Sequence, residues 1–260
     1  MSDPMFVEER RRIILDQLKQ HGRVSVKSLS ELMNVSAVTI RQDLRALEDS
    51  GLLERTYGGA VSRESSTIPP ELSFHVRLAK RRSEKLAIAA AAADLLEDGC
   101  SLALDASTTA YALIPYIKNL RKVTVITNSL LMAQHFLDSP QIQVLVSGGR
   151  LRRDSISTVG RPDGLPDINL NLGFFGTRGL SLIGGCTEID PDEVAMKSAM
   201  IARCVRTVIL ADGSKWGQVA PYTFLRPEKI LHIISTQDAP AELVEAFRAG
   251  GTRVDLVPVE

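Results

Sequence analysis

Thr39, Arg41, Gln42 and Arg45 bring one hydroxyl, one amide and two guanidinium groups into one short stretch. On a helix they share the outward side, and a single helix is thin enough to enter a major groove. Such side chains there can hydrogen-bond base edges and phosphates. A second kind of chemistry recurs later in the chain. Asp105-Ala106-Ser107-Thr108-Thr109, Thr127-Asn128-Ser129, Ser147-Gly148-Gly149-Arg150, Cys186-Thr187-Glu188 and Ala211-Asp212-Gly213-Ser214-Lys215 mix hydroxyl, amide, carboxylate and cation. Hydroxyls and backbone N–H groups at a helix start make an anion cradle, glycines let the backbone approach closely, and Arg150 and Lys215 supply charge. Several such strings in one chain favour a polar, anionic ligand.

The elements that must position the first set are two short helices within Val24–Arg45. Periodicity turns Val26, Leu29 and Leu32 inward from one, and Ile40, Leu44 and Leu47 from the other. Ser36 precedes the second helix, where its hydroxyl caps the opening turn. The spacing fits a helix-turn-helix. An earlier helix, Val7 to Gln20, adds Ile13, Ile14 and Leu18 to a three-helix core. Leu52–Tyr57 and Gly58–Val61 read as two strands joined at the glycines, a wing that gives Arg55 and Tyr57 a second contact surface on DNA.

Residues 62–70, SRESSTIPP, have a linker's composition. One or two helices follow, ending at Gly99, with Phe74, Leu78, Leu86, Ile88, Ala89, Ala92, Ala93 and Leu96 apolar. Their alanine richness implies close packing against a flat surface, and Lys80-Arg81-Arg82 reads as a solvated helix face. From Ser101 onward, short apolar strands alternate with helices. The strands are Ser101–Asp105, Val123–Thr127, Ile142–Ser147, Leu172–Phe175, Val205–Ala211, Leu231–Ser235 and Val254–Val257. The helices are Thr109–Ile117, Leu130–Leu137, Glu193–Cys204 and Ala241–Ala249. This is the pattern of a mostly parallel sheet covered on both faces, whose ligands bind at the carboxyl ends of the strands. The polar strings fall at those ends.

Composition narrows the function classes. A chain of 260 residues, 44% hydrophobic and poor in aromatics, suits one small and one large globular domain. No apolar stretch reaches membrane-spanning length, and MSDPMFVEERRR lacks a signal core. Cys100, Cys186 and Cys204 are expected as free buried thiols in a reducing cytoplasm, with no metal site and no cofactor. The net charge is zero, and the first sixty residues hold nine basic and nine acidic side chains. DNA binding therefore requires sorting by face, with Arg10, Arg41, Arg45 and Arg55 toward phosphate. Asp43 must lie sideways and pair with a cation of a neighbouring helix. So balanced a module also calls for two or more copies acting together.

The run VSVKSLSELMNVSAVTIRQDLRALEDSGLLERTYGGAV resembles the signature of the DeoR family of bacterial transcriptional regulators. The family's Arg-Arg-Asp-Leu stands here as Arg41-Gln42-Asp43-Leu44, and a glutamine can pair bidentately with adenine. Asp105-Ala106-Ser107-Thr108-Thr109 is similar to the family's Asp-Ser-Gly-Thr-Thr, with Ser107 for glycine. Thr127-Asn128-Ser129, Gly148-Gly149, Lys197 and Asp212-Gly213-Ser214-Lys215 match further landmarks. The family's late Thr-Asp appears as Ser235-Thr236-Gln237-Asp238. The resemblance covers residues 8 to 257. It implies a sheet domain similar in fold to ribose-5-phosphate isomerase and coenzyme A transferases, and a response to phosphorylated sugars.

The expectation is an α/β chain with a winged helix-turn-helix at 1–61, a linker at 62–70 and an effector-binding domain at 71–260. Ser36, Thr39, Arg41, Gln42, Arg45, Arg55 and Tyr57 contact double-stranded promoter DNA. Asp105, Ser107, Thr108, Thr109, Asn128, Gly148, Gly149, Arg150, Glu188 and Lys215 bind a phosphorylated sugar or polyol. The threonines, helix-start N–H groups and Lys215 would hold the phosphate, and Asp105, Asn128 and Glu188 the sugar hydroxyls. The protein would be a dimeric or tetrameric repressor of carbohydrate-use genes, released by its ligand. The alternatives are the same architecture as an activator or answering a non-phosphorylated metabolite, and a sugar-phosphate isomerase using Glu188 and Asp105. Gly173 to Gly179 lacks the aspartates that such isomerases carry.

Overall fold

The computed structural model describes residues 7–21, 23–49, 52–56, 58–61 and 73–259. The expected linker at 62–70 and Tyr57 lie outside the described residues, as does the side chain of Arg55. The chain divides into two compact units, Met1–Leu72 and Ser73–Glu260.

The first unit contains α1 (Val7–His21), β1 (Arg23–Ser25), α2 (Val26–Met33), α3 (Ala37–Asp49), β2 (Glu54–Thr56) and β3 (Gly59–Val61). Ile14, Leu18, Val26, Leu29, Met33, Ile40, Leu44 and Leu47 form its core. Leu32, expected inside, is exposed and Met33 takes its place. At 100° per residue, position 33 returns to the face of 26 and 29, whereas 32 is turned well away from it. α2 ends on Asn34 in the left-handed region at φ 52°, and Ser30 Oγ donates to Val35 O at 2.5 Å, closing the turn. The wing has a third strand that periodicity did not reveal: β1 pairs with β3 antiparallel. Asp43 is buried and accepts from Arg10 Nε at 2.8 Å and Arg11 Nε at 3.2 Å, both on α1. Arg10, expected toward phosphate, is thus committed to holding α1 against α3.

The second unit opens with α4 (Phe74–Ala79) and α5 (Arg82–Ala93). It continues through β4 (Ser101–Leu104), α6 (Thr108–Tyr111), α7 (Ile114–Ile117), β5 (Val123–Thr127), α8 (Leu130–His135), β6 (Ile142–Val146), β7 (Arg150–Arg152) and β8 (Ser157–Val159). Next come β9 (Leu170–Gly176), β10 (Gly179–Ser181), β11 (Gly185–Glu188), α9 (Pro191–Ile201), β12 (Cys204–Ala211) and β13 (Tyr222–Leu225). β14 (His232–Thr236), α10 (Ala241–Ala249) and β15 (Arg253–Val257) complete it. The expected helix Thr109–Ile117 is broken into two, because Pro115 has no N–H to donate back to Tyr111.

Seven strands form one parallel sheet in the order β15-β14-β12-β9-β4-β5-β6. Successive side chains point to opposite faces, so Phe174, Val208 and Leu210 enter one core while Phe175, Ile209 and Ala211 enter the other. Ile88, Ala89 and Ala92 of α5 pack without exposure on the first of these faces. The chain moves outward from β4 through β5 to β6, then crosses back to β9 on the other side of β4. This reversal is a topological switch point, and the crevice expected of such a point lies beyond the carboxyl ends of β4 and β9. A small antiparallel sheet, β10-β11-β13, and the β7-β8 hairpin lie beside it.

Removing the Asp43 carboxylate takes away the anion that two α1 arginines share. Breaking a buried pair costs about 3–5 kcal/mol, and the partial exposure of both arginines places Asp43→Ala at the low end. Urea unfolding followed by helical circular dichroism should show that loss, against about 0.5 kcal/mol or less for Asp49→Ala on the exposed face.

Candidate effector site and nucleic-acid interface

α3 is built to be presented. Ser36 Oγ accepts from Thr39 N at 3.1 Å and lies 2.9 Å from Thr39 Oγ1, so these two hydroxyls cap the helix together. Arg41, Gln42 and Arg45 are exposed, and Thr39 is half-buried beside them. Val38, 61% exposed, also belongs to this face at the spacing i, i+3, i+4, i+7. Sequence reasoning overlooked it, although an apolar residue among polar ones at that spacing was the signal. A valine there suits contact with a thymine methyl group.

In the second unit the site is organised by Lys197, which α9 brings to the switch point with only 1% exposure. Its Nζ donates to Gly176 O at 2.8 Å, at the end of β9, and to Glu188 Oε1 at 2.6 Å, at the end of β11. Asp105 Oδ2, just beyond β4, lies 3.0 Å away and Glu193 Oε1 3.8 Å away. The Phe224 ring centroid is 4.7 Å from the ammonium. Burial alone would lower the Lys197 pKa, but Glu188 and Asp105 more than offset it and hold it above the usual value. Burial would raise Glu188, yet Lys197 wins, helped by Arg178 and Arg77, and the carboxyl sits below its ordinary range. Asp105 also accepts from Ser107 N at 3.2 Å and Gly176 N at 3.0 Å, which fixes the loop after β4. The next layer is Arg152 of β7, paired with Glu193 and with Asp190.

The remaining expected site residues line the same edge of the sheet. Ser107 Oγ accepts from Ala110 N at 3.1 Å. The N–H groups of Thr108 and Thr109, in the first turn of α6, find no acceptor among the described residues. Asn128 follows β5, fully buried, with Nδ2 donating to Thr158 O at 3.2 Å. Its Oδ1 is buried and has no donor among the described residues. Gly149 has φ +143°, and a Cβ there would lie 2.4 Å from Val159 O, so only a glycine fits where the chain enters β7 beside the end of β8. Arg150 is exposed and paired with Asp192 at 2.5 Å. Lys215 sits in the turn after β12. Burial lowers its pKa; Asp212 opposes this, while Arg178 and Arg77 add to it. The structure thus joins Asp105 and Glu188 through Lys197, with Lys215 in the field of Glu188. Gly148 and Lys215 follow strands four places apart, roughly 19 Å at normal strand spacing. Arg77 and Arg178 near the crevice were not among the expected residues.

Among the described residues no group of His, Cys, Asp or Glu could hold a metal, and no helix is long and apolar enough to cross a membrane. The three cysteines are free, but Cys100 and Cys204 are half-buried rather than buried. Burial raises all three thiols, Cys204 to about 12.

Comparison with known proteins identifies the lineage. The DeoR-like helix-turn-helix domain matches residues 10–66, and the DeoR C terminal sensor domain matches residues 80–237. The chain belongs to the DeoR family of transcriptional regulators. It is 32% identical to the HTH-type transcriptional regulator GolR of Listeria innocua, over 97% of this chain and 99% of that protein. It is 31% identical to the glycerol-3-phosphate regulon repressor of Escherichia coli, over 82% of this chain and 84% of that protein. Ribose 5-phosphate isomerase from Plasmodium falciparum overlays 52% of each chain at 13% identity with a TM-score of 0.39, too slight a likeness to carry an inference. This DeoR-family regulator therefore binds DNA through its first unit and carries the family's sensor domain in its second.

Lys197→Met should destabilise the regulator by about 3–5 kcal/mol, because Asp105 and Glu188 lose their buried counter-charge. The sign of the pH dependence separates this from a packing defect. Glu188 is lowered, so its contribution is present above its ordinary pKa and lost as pH falls through the depressed value. Lys197 is raised, so its contribution is present below 10.5 and lost as pH rises through the elevated value. In the variant the stranded carboxyls gain protons on folding, so chemical unfolding should show the deficit narrowing from pH 7 toward pH 5.

Proposed function

We propose that this regulator is a repressor of carbohydrate-use genes whose sensor domain binds a small phosphorylated sugar or polyol and thereby releases promoter DNA. The observation that carries the reading is the pairing of open donors with committed acids at the switch point. The N–H groups of Thr108 and Thr109, with the Lys215 ammonium, suit a phosphate. Asn128 Oδ1 offers a buried acceptor for a sugar hydroxyl, where an unmatched ligand would leave it unpaired. Gly148, Gly149 and Arg150, at the far end of the edge, shape the rim. DeoR-family regulators are typically repressors answering phosphorylated sugars, and one relative is named for a glycerol 3-phosphate regulon. An isomerase reading is disfavoured, because a base must hold its pKa near the working pH. Glu188 is instead held low by Lys197.

On DNA, Ser36, Thr39, Arg41, Gln42 and Arg45, with Arg55 and Tyr57 of the wing, read one half-site. Two or more copies read a full operator, since paired half-sites one helical turn apart reward symmetric dimers.

Fluorescence anisotropy on promoter fragments should show each of Arg41→Ala and Arg45→Ala losing about 1–3 kcal/mol of binding, if each makes a bidentate base contact. Unchanged affinity and specificity in the double variant would remove α3 from the interface. Thermal shift across sugar phosphates, their parent sugars and inorganic phosphate should give a phosphorylated hit that Lys215→Ala abolishes and that Thr108→Ala, which loses the hydroxyl and keeps the N–H, weakens. A hit from an unphosphorylated metabolite alone, with an effect on DNA affinity, would overturn the phosphate assignment and leave the regulator.

A further inference from the structure

α4 is the first helix after residues 62–72, and its two ends are fastened to different helices, α6 and α5. At its start, Phe74 is buried edge-on against Tyr111 of α6, with ring centroids 5.2 Å apart, just after Thr108 and Thr109. At its end, Lys85 of α5 donates from Nζ to the carbonyls of Arg77 and Lys80, closing the corner between α4 and α5. Arg81 forms that corner. Its backbone is left-handed at φ 50°, a conformation unfavourable for a residue with a Cβ. Strain of that kind is kept where the surroundings over-determine it, often at functional positions.

The Arg81 guanidinium lies 2.7 Å from Asp238 and 3.5 Å from Asp212. These residues follow the neighbouring strands β14 and β12, far away in sequence. Its local partner, Glu84, is 3.4 Å away. The two remote anions are themselves tied to the loop that carries Lys215. Asp212 Oδ1 accepts from Ser214 N at 3.0 Å and also from Ser214 Oγ. Thr236 Oγ1 donates to Asp238 and accepts from Gly213 N at 3.0 Å. A Cβ on Gly213 would lie 2.3 Å from Asp238 Oδ1, so the two loops pack without slack. Lys85 stands in the field of both Asp212 and Lys215.

We propose that Arg81 is a positioning residue of the effector site, holding the Asp212-Gly213-Ser214-Lys215 loop against the α4–α5 corner so that an anion at Lys215 is felt by α4. This rests on reading the crevice as the effector site. An anion seated on Lys215 neutralises the cation that competes with Arg81 for Asp212 and so strengthens the Asp212 hold on Arg81, and α4 follows because its C-terminal carbonyls are pinned to the same corner. The side chain acts through the loop and touches no ligand.

Hydrogen exchange measured by mass spectrometry on the full chain tests this, with Arg81→Gln and Asp238→Asn as reciprocal variants. Asp238 is at the surface, so its replacement leaves the core intact. Both variants should raise exchange about tenfold in residues 74–79 and in residues 212–218 together, as expected when one link joins two segments. An increase confined to residues 80–84 would overturn the proposal and reduce Arg81 to a local partner of Glu84. Inorganic phosphate, glycerol 3-phosphate and ribose 5-phosphate are then added in turn. A probe that binds should protect both segments in the unmodified protein and only residues 212–218 in Arg81→Gln. Protection of both segments in the variant would equally overturn it. If no probe changes exchange in the unmodified protein, the effector reading fails, while the variant comparison still decides the role of Arg81.

Discussion

A lysine ammonium shut away from water at the crossing point of a parallel sheet is the constraint on which the sensor domain depends. Taking one ion out of water costs several kcal/mol, and the cost is offset only when geometry and hydrogen bonding are good. Around Lys197 that condition is met by Glu188, Asp105 and the Gly176 carbonyl. These partners follow three different strands, and the lysine comes from α9, so one group fixes the relative positions of four elements. The loop after β4 inherits its shape from this, since Asp105 also accepts the N–H groups of Ser107 and Gly176. Arg152 carries the network on to the β7-β8 hairpin through Glu193 and Asp190. The acids around Lys197 are therefore committed to structure.

The DNA-binding unit solves a related problem with the same device. Its sequence is charge-balanced, which by itself predicts weak attraction to a polyanion. Asp43 resolves this by turning away from the exposed face of α3 and engaging Arg10 and Arg11 of α1. The face that remains carries Val38, Arg41, Gln42 and Arg45, whose only formal charges are positive. Neutrality of the module is compatible with a cationic α3 face because Asp43 leaves that face for α1.

Much of this was legible in the sequence, for physical reasons. All seven strands of the main sheet were expected near their observed places, because strands buried on both faces read as apolar runs. The cap at Ser36 followed from local geometry, and the pairing of Asp43 with a neighbouring helix from charge, although Asp43 is buried rather than sideways. The strands β1, β7, β8, β10, β11 and β13 were missed, since runs of three or four residues carry little periodicity and β11 pairs with a strand far along the chain. Leu32 was misplaced because two adjacent apolar residues, Leu32 and Met33, compete for one inward position. Lys197 was visible only as a family landmark. Its signal was Glu193 and Lys197 one turn apart on the same face as Met196 and Met200, charged residues where a core is expected. Arg77, Arg81 and Arg178 could not be found this way, because nothing local distinguishes an arginine that reaches a distant strand end from one on a solvated face.

Under the proposed function, one ligand at the switch point and DNA at α3 oppose each other through the chain. Linkage makes this testable from either side: the factor by which a ligand weakens DNA binding must equal the factor by which DNA weakens ligand binding. The direct measurement is calorimetric titration of the phosphorylated compound into the protein alone and into the protein saturated with its promoter fragment. Binding to the DNA-bound protein should be weaker, by about 5–150-fold for a coupling of usual size, matching the loss of DNA affinity measured with the ligand present. Equal affinity for the free and DNA-bound forms would contradict it.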